Sequence, residues 1–322
     1  MKLLALVSCL VLVAGCRGPA LSVSGAGIDM SITRGRDAVA TVRAGAQPRP
    51  HIWPIYAPGG VAVTRDHPMG ERAGEQHDHP HHQSLWFAHG NVNGFDFWHS
   101  KKHRERIVHH ATRSAQEGGT AAVEGDAVEI ESDGAVEVES DYTWEVEDGD
   151  VVLEETRTLR FEEHADHRTI DATITLRAAA AEVTFGDTKE GSFALRLHPA
   201  LRVEGKVAAG TLRNSEGHVG KAAWGKRARW LHDQGPIDGQ AVGVAIFDHP
   251  GNLRHPTWWH ARTYGLVAAN PFGVHDFERK PKGAGDYTMK MGEELTLRYR
   301  VVVHRAAAQA PRVEEAWRHW AR

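Results

Sequence analysis

Hydrophobic and polar residues alternate along much of the chain, with the period of two that is typical of half-buried strands. The clearest case is 169–176, where Ile170, Ala172, Ile174 and Leu176 occupy one face and threonines and an aspartate the other. Alternation from about 121 to 197 predicts consecutive antiparallel strands. The pattern therefore favours a mainly β protein.

Turn chemistry and the remaining periodic segments complete this prediction. The segment 147–150, Glu-Asp-Gly-Asp, separates strands at 142–146 and 151–161 and predicts a hairpin with an Asp-Gly turn. Shorter strands are predicted within 21–45, 243–247 and 295–303. One helix is predicted, at 311–322, because Val313, Trp317 and Trp320 recur at helical spacing after a proline. The expected fold is a large antiparallel β-sandwich with long loops and a short C-terminal helix.

Two long stretches, 49–110 and 198–259, fit neither period and are rich in Gly, Pro, His and Trp. Irregular segments of this length in a compact domain are usually functional loops or disordered, and the density of aromatic residues argues against disorder. We therefore expect the functional site on loops carried by the β scaffold.

The N-terminus has the layout of a secretory signal: Lys2, an apolar run at 3–13, and small residues before Cys16. The run is too short to span a membrane. Residues 12–16, Leu-Val-Ala-Gly-Cys, resemble the bacterial lipobox, whose cysteine is acylated after cleavage. The prediction is a signal peptide at 1–15 and one β-sandwich domain at 16–322, held at the cell envelope by a lipid on Cys16. Arg17 after the cysteine favours the outer membrane.

Composition narrows the function classes. Removal of the signal leaves one cysteine, so lipidation would leave no disulfide to support the fold. The net charge of -4 argues against a general nucleic-acid binder. No later segment contains 18 consecutive apolar residues, so a membrane contact is expected only through the lipid.

A histidine-rich segment at 77–82, His-Asp-His-Pro-His-His, is the first candidate for chemistry. Its imidazoles suit acid–base work near neutral pH or metal coordination. Adjacent histidines in a loop cannot all face one ion, and no spaced ligand motif accompanies them. A divalent metal, a solvated loop, and a polar site in which His79, His81 or His82 touches a substrate therefore stay open, and no cofactor is predicted.

Two further segments carry candidate groups. Asp187, Lys189 and Glu190 lie among glycines before an apolar strand, where a carboxylate beside a lysine suits general acid or base catalysis, although a surface turn is the commoner fate of such a run. The segment 255–273 combines paired tryptophans with His260, Arg262 and Asn270, a mixture of apolar faces and hydrogen-bonding groups that suits a ring bearing hydroxyls.

Several motifs in order resemble the bacterial family DUF6807, which also carries the label methane oxygenase PmoA. They are Asp-His-Pro-His-His at 78–82 with Leu-Trp-Phe-Ala-His-Gly at 85–90, Asp-Phe-Trp at 96–98, Gly-Asp with Lys-Glu-Gly at 186–191, Trp-Gly-Lys-Arg-Ala at 224–228, and the 255–273 segment. The resemblance covers 49–304. It implies a supersandwich similar to galactose mutarotase and a role near saccharide degradation. Methane oxidation is set aside because nothing after the signal spans a membrane.

Together these features predict a secreted lipoprotein enzyme that acts on a sugar or glycoside as an epimerase, lyase or hydrolase. His81 or His260 is the expected acid and Glu190 the expected base. The residues expected to contact substrate are His79, His82, Trp86, Asp187, Lys189, Trp259, Arg262 and Asn270. The alternatives are a non-catalytic carbohydrate-binding lipoprotein and a histidine-rich metal protein.

Overall fold

Antiparallel strands make up most of the molecule. The computed structural model describes residues 20–26, 28–101, 104–116, 120–124, 127–132, 134–305 and 310–322. The predicted signal peptide and Cys16 lie outside these residues. Within them the mainly β class and the short C-terminal helix are confirmed.

The elements follow one another along the chain in this order. They are β1 (Leu21–Ala26), β2 (Asp29–Arg34), β3 (Asp37–Arg43), β4 (His51–Ala57), β5 (Val61–Ala62), β6 (Leu85–His89), β7 (Arg106–Gln116), β8 (Thr120–Glu124), β9 (Ala127–Ser132), β10 (Val136–Glu145), β11 (Val151–Glu163), β12 (His167–Ala178), β13 (Glu182–Phe185), β14 (Gly191–Arg196), β15 (Thr211–Asn214), β16 (Trp230–Ile237), β17 (Gln240–Asp248), β18 (Trp258–Trp259), β19 (Leu266–Asn270), α1 (Val274–Glu278), β20 (Tyr287–Lys290), β21 (Glu294–Arg305) and α2 (Ala310–Trp320).

Two large antiparallel sheets organise the described residues. The first has the order β18-β19-β14-β6-β4-β3-β2-β1-β9-β8, with β5 paired to β4, and the second has the order β15-β16-β17-β21-β12-β11-β10-β7. A separate pair joins β13 and β20. The first sheet therefore combines strands from both halves of the chain.

The alternating segments form the expected strands. In β12 the residues Ile170, Ala172, Ile174 and Leu176 are all buried, because one face of the strand packs against the core. The predicted hairpin joins β10 to β11, and Gly149 at its turn has a φ of +86°, a conformation that glycine adopts without steric cost.

The strand predicted at 243–247 forms as part of β17, but the expectation that the rest of 49–110 and 198–259 is irregular is wrong. These stretches also contain β4 to β6, the start of β7, β15, β16 and β18. Every residue of β6 is buried, as is every residue of β14 and β19 beside it. Strands covered on both faces show no alternation, which is why β6 and β19 escape a search by period, whereas β14 falls within the predicted stretch 121–197.

The two sheets pack through aromatic contacts between their inner faces. Phe87 of β6 contacts Trp144 of β10 with ring centroids 5.9 Å apart, and Phe193 of β14 stacks on Tyr299 of β21 at 4.6 Å. These contacts confirm the predicted sandwich. Because successive side chains of a strand point to opposite faces, the neighbours of Phe87 and Phe193 point to the outer face of the first sheet.

The C-terminal helix packs on the outer face of the second sheet. Val313 is buried with Trp230 and Phe247, and the Trp317 indole donates a hydrogen bond to the carbonyl of Asp248 at 3.0 Å. The short helix α1 has no counterpart in the sequence prediction. No helix of the described residues is long and apolar enough to cross a membrane.

Candidate functional site

A row of four paired residues crosses the outer face of the first sheet, with two alanines in its middle. Trp86 of β6 pairs with Ala194 of β14, which pairs with Ala268 of β19. His260 continues the row through two backbone hydrogen bonds with Ala268, of 2.8 and 3.2 Å. With strands about 4.8 Å apart, the row places Trp86 and His260 roughly 14 Å from each other across a floor of two alanines.

Buried polar atoms without a hydrogen-bond partner collect on this face. They are Oγ of Ser84, Nε1 of Trp86, Oγ of Ser192 and Nε of Arg196. Alternation along β6 and β14 places the side chains of Trp86, Ser192 and Arg196 on the same side as Ala194. Since buried polar groups are nearly always satisfied, this face is where a ligand or ordered water would find donors within the described structure.

Two buried arginines hold the histidine-rich loop against this face. Asp78 accepts hydrogen bonds from Arg65 at 2.7 Å and from Arg196 at 2.9 Å, and the two arginine side chains are only 2% and 1% exposed. Burial opposes ionisation of Asp78, but Arg196, His79 and Arg65 outweigh it, so the pKa of Asp78 lies below its ordinary value. The loop is therefore fixed by a charge-assisted network.

Arg49 joins this loop to the segment at 96–99. Its guanidinium donates to the Gln83 side chain at 3.1 Å, to the Phe97 carbonyl at 2.6 Å and to the Trp98 carbonyl. Burial lowers the pKa of Arg49 to about 10, so the group stays charged at neutral pH. Both histidine-bearing segments are thus held by one buried cation.

Four rings form a nearly parallel cluster above the floor. His79 stacks on Tyr264 at 5.2 Å and on His82 at 4.9 Å, and His82 stacks on Trp86 at 5.4 Å. Trp86 is 1% exposed and lies beneath His82. The structure therefore makes Trp86 a support for His82 instead of the cover over a sugar ring that the sequence suggested.

The expected role of His81 or His260 as the acid is not supported by their surroundings. Burial is the main reason that the pKa of each falls to about 3, with His99 adding to it for His81 and Arg262 for His260. Burial also takes the pKa of His82 well below its ordinary value. These imidazoles are neutral at neutral pH, so they lack the imidazolium proton that a histidine acting as general acid donates.

Tyr264 supplies a proton donor that sequence reasoning overlooked. Burial raises its pKa; Arg262 and Arg196 oppose this, and the carboxylates of Glu190 and Asp78 are near enough to raise it further. The guanidinium carbons of Arg196 and Arg262 lie 4.6 and 5.5 Å from the ring centroid. A phenol between two cations and close to a carboxylate is suited to proton transfer.

Two aspartate–histidine pairs flank His81. The Nδ1 atom of His79 lies 2.8 Å from Asp78, and that of His99 lies 2.8 Å from Asp96. A carboxylate that accepts from Nδ1–H leaves Nε2 as the basic atom. The rings of His99 and His81 are 4.5 Å apart. The sequence motif contained Asp96, but its spacing to His99 was not recognised as a signal.

The loop at 187–190 is fixed largely through backbone contacts. Asp187 accepts hydrogen bonds from the backbone of His275 at 2.9 Å and of Gly285 at 2.8 Å, so it holds the start of α1 and is not free for a substrate. The Lys189 carbonyl accepts from Nδ1 of His260 at 3.0 Å, and Lys189 Nζ lies 3.3 Å from Glu190.

Glu190 itself depends on a close backbone approach. A Cβ atom placed at Gly90 would lie 2.8 Å from the Glu190 Cβ and 2.9 Å from its carbonyl oxygen. Such distances are too short for ordinary packing, so only glycine fits beside Glu190 here. The Glu190 side chain remains 22% exposed.

Two of the expected contact residues lie inside the protein. Trp259 is fully buried and donates its indole hydrogen to the Ala228 carbonyl at 2.9 Å. Asn270 is also fully buried, donating to the Thr188 carbonyl and accepting from the backbone of Phe272. Both stabilise the site from below, so neither is available for direct contact with a substrate in this structure.

The three predicted catalytic residues do not share one point. His260 and Glu190 are linked through Lys189, whereas His81 precedes β6 and Glu190 precedes the antiparallel β14, so they lie at opposite ends of these strands. The paired segments span four residue steps, about 13 Å. Tyr264 lies at the His79 end, where it stacks on His79, and the Glu190 carboxylate at the other end is within electrostatic reach of it.

The accessible rim of the site is formed by groups of different chemistry. His79 and Arg262 are exposed, and His81, Tyr264, Lys189 and Glu190 are partly exposed. Among the residues that the structure describes, no three His, Cys, Asp or Glu side chains are arranged to hold a metal ion, and we build no step on one. A cavity of about 1350 Å³ lies instead beside α2 on the other sheet.

Fold and site together define a two-sheet antiparallel β protein with an imidazole-rich polar site on the outer face of one sheet. The chain belongs to DUF6807, a family of unknown function, whose family model matches residues 30–318. The resemblance inferred from the motifs is confirmed. A comparison with curated proteins gives no match.

Solved structures give distant likenesses. The α-galactosidase AgaA of Geobacillus stearothermophilus is 12% identical with a TM-score of 0.39, and a glycoside hydrolase family 97 enzyme of Pseudoalteromonas sp. strain K8 is 11% identical with 0.37. Each of these two matches covers 88% of this chain, but only 40% of the α-galactosidase and 35% of the family 97 enzyme. A putative aldose 1-epimerase of Escherichia coli K12 is 11% identical, with a TM-score of 0.32. This match covers 89% of the present chain and 99% of the epimerase chain. These values carry no argument about function.

Proposed function

We propose that this protein is an enzyme that acts on a sugar or glycoside by proton transfer, with Tyr264 as the acid and Glu190 as the base. The observation that carries the proposal is the position of Tyr264 between Arg196 and Arg262, within electrostatic reach of Glu190. The phenol is protonated at neutral pH and can donate its proton to a ring or leaving-group oxygen.

The proton balance is closed by neighbouring groups. When Tyr264 gives up its proton, the resulting phenolate is stabilised by the guanidinium groups of Arg196 and Arg262. The Glu190 carboxylate takes the proton that the substrate loses, either from a hydroxyl or from a carbon beside a carbonyl. Loss of the anomeric hydroxyl proton suits anomer exchange, and loss of the carbon-bound proton suits epimerisation or β-elimination of a 3-keto sugar. In hydrolysis Glu190 would take the proton from the attacking water instead.

Substrate binding rests on the groups at the rim. The exposed face of His79, supported by Tyr264 and His82, offers a flat surface for the C–H face of a sugar ring. Arg262 and Lys189 offer donors to hydroxyl or carboxylate oxygens. The neutral imidazole of His81 provides an acceptor beside them. This mixture of a flat ring and directional polar groups supports a saccharide substrate.

The test is a turnover assay on the purified mature protein. Free aldoses, neutral glycosides and their 3-keto forms are incubated with it and followed by proton NMR in deuterated buffer, which detects both bond cleavage and deuterium exchange. We expect Tyr264→Phe and Glu190→Gln each to lower kcat on the order of 10²-fold or more. Tyr56→Phe and Glu154→Gln are matched controls, because Glu154 pairs with Arg177 on the other sheet.

Three outcomes are decisive. Equal turnover in wild type and both site variants refutes the assignment of acid and base. If the protein binds a sugar saturably without turnover, and Arg262→Ala abolishes this binding, the protein is a non-catalytic carbohydrate-binding lipoprotein and not an enzyme. Turnover that depends on an added divalent cation, and that survives Tyr264→Phe, favours the metal alternative.

We also propose that the protein is lipid-anchored at Cys16 in the cell envelope, on the outer membrane. The support is the signal-like segment at 1–15 and the small residues before the cysteine. Metabolic labelling with a palmitate analogue should mark the wild type and spare Cys16→Ser, with Cys9→Ser as the control that keeps its label. A wild-type protein that takes up no label and stays in the aqueous phase of a detergent partition refutes the anchor.

A further inference from the structure

A wide cleft lies along one side of helix α2, beside the contacts by which the helix packs on the outer face of the second sheet. We call it the α2 cleft; its volume is about 1350 Å³. Its walls are the turn at 164–167 between β11 and β12, the outer face of β17 and β21, and one side of α2. The volume exceeds what a single small ligand needs, since such pockets measure roughly 300–1,000 Å³.

Positive charge dominates the lining of this cleft. Five arginines line it against two carboxylates, Asp166 and Glu315, although the chain as a whole carries a net charge of -4. Two of the arginines are already neutralised, because Arg300 pairs with Asp171 at 2.5 Å and Arg318 with Glu314 at 2.9 Å. The other three arginines face Asp166 and Glu315, and Arg312 is within electrostatic reach of Asp166, so the lining keeps a formal charge of +1 with histidines counted as neutral. A local charge of this sign attracts anions.

Three arginines remain for a ligand. Arg305, Arg312 and Arg322 are exposed, and none forms an ion pair with a carboxylate among the residues described. The eight residue steps from Arg312 to the end of α2 at Trp320 span about 12 Å at the rise of an α-helix, and Arg322 lies two residues past that end. Cations spread over this length fit an extended ligand with several anionic groups better than a single phosphate.

The strands that form the floor of the cleft argue against an extended acidic peptide as the ligand. It is formed by β17 and β21, which both lie inside the sheet with a strand on each side. Their backbone groups are therefore already paired, and an extended peptide cannot add to them as a new strand. The side chains of the floor, such as Val302 and Phe247, offer apolar contact to a ligand whose anionic groups reach the rim.

We propose that the α2 cleft is a second binding site and takes an acidic oligosaccharide, with its carboxylates held by Arg305, Arg312 and Arg322. Guanidinium groups bind carboxylates through paired hydrogen bonds, and the C–H faces of the sugar rings pack against Val302 and Ala316. The site is independent of Tyr264 and Glu190. It would hold a charged glycan chain while the first site acts on a sugar.

The experiment measures binding of a galacturonic acid hexamer to the full mature protein by calorimetry, with a neutral maltose-type hexamer in parallel. We expect the acidic hexamer to bind at low salt and the neutral one not to bind. Raising the salt concentration to a few hundred millimolar should weaken binding on the order of tenfold, because exposed charges are screened.

Two variants locate the ligand in the α2 cleft. Changing Arg305, Arg312 and Arg322 together to Gln should weaken binding roughly tenfold or more, whereas the matched control changes the exposed cations Arg36, Lys101 and Lys226 to Gln and should bind as the wild type does. Ala316→Trp keeps every arginine and fills part of the cleft, and it should also abolish binding. Thermal unfolding of each variant confirms that it is folded.

Several results would overturn the proposal. These are equal loss in the control triple variant, unchanged binding in Ala316→Trp, no binding of the acidic hexamer at low salt, or tighter binding of hexaglutamate or of phosphatidylglycerol vesicles. Tyr264→Phe should leave binding of the hexamer at this site unchanged. If Tyr264→Phe loses binding of the hexamer and the arginine triple variant does not, the anionic ligand binds at the first site and not in the α2 cleft.

Discussion

Asp78→Asn tests whether the histidine-rich loop is held by charge. Asp78 is the carboxylate that Arg65 and Arg196 share, and the substitution keeps the shape of the side chain while removing its negative charge. Two guanidinium groups that are 2% and 1% exposed would lose their counter-ion. At about 4 Å between charge centres, one such pair is worth about 4 kcal/mol at an effective dielectric constant of about 20.

The expected loss is smaller than this upper figure. The Asp78 side chain is 34% exposed, so water screens part of the interaction and enters when the charge is removed. Loss of one member of a well-buried pair costs about 3–5 kcal/mol, and the exposure of Asp78 reduces this to roughly 2–3 kcal/mol. For a chain of this length that corresponds to a fall in Tm of about 4–8 °C.

The contribution of Asp78 to stability should also depend on pH in a defined direction. Because the folded-state pKa of Asp78 lies below the ordinary value of 3.8, its contribution is complete above that value and is lost as the pH falls through the folded-state pKa. Thermal unfolding at pH 7 should separate wild type from Asp78→Asn, and the difference should shrink toward pH 3. Glu154→Gln, which removes an exposed pair, should shift Tm by less than about 1 °C. An Asp78→Asn variant as stable as the wild type at pH 7 would refute the charge clamp.

Three further predictions follow from single contacts. Gly90→Ala should lower turnover more than stability, because its Cβ would push the backbone of Glu190 away from a distance of 2.9 Å; parallel kinetics and urea unfolding check this, and a change in stability alone would contradict it. Asp233→Asn should raise Tm above that of the wild type at pH 8, and the difference should disappear near pH 4. Burial raises the pKa of Asp233 well above 3.8, so at pH 8 ionisation of this carboxyl favours the unfolded wild-type chain. A variant with the same Tm as the wild type at both pH values would show that the Asp233 carboxyl is not buried without a partner. Asp96→Asn should lower kcat at least tenfold while leaving Tm nearly unchanged, because His99 loses the carboxylate that orients it; kcat equal to that of the wild type would remove this pair from the reaction.

Sequence alone predicted the fold best where one face of a strand meets the core. The alternation in β12 and the Asp-Gly turn after β10 depend on neighbours along the chain, and both elements form where expected. The strands β6 and β19 are covered on both faces and were not predicted, because no period marks them. Their pairing depends on contacts between distant residues, which spacing in the sequence does not encode.

The candidate site was predicted in composition and not in arrangement. His79, His81 and Glu190 remain plausible from their chemistry and partial exposure, but the protonation of His81 and His260 depends on burial that a loop sequence cannot reveal. Trp259 and Asn270 have the residue types of a sugar site and serve as internal supports. Tyr264 acquires its significance from Arg196, which lies 68 positions earlier in the chain.

The order of strands in the first sheet determines what a fragment of this protein can do. The floor of the candidate site joins β6 to β14, β19 and β18, so its members lie between positions 85 and 270 and no short segment contains them all. A ribosome must have released nearly the whole chain before Tyr264 meets Arg196. Any dissection by limited proteolysis, and any attempt to express a minimal active unit, must therefore retain a continuous piece from at least Arg49 to Asn270.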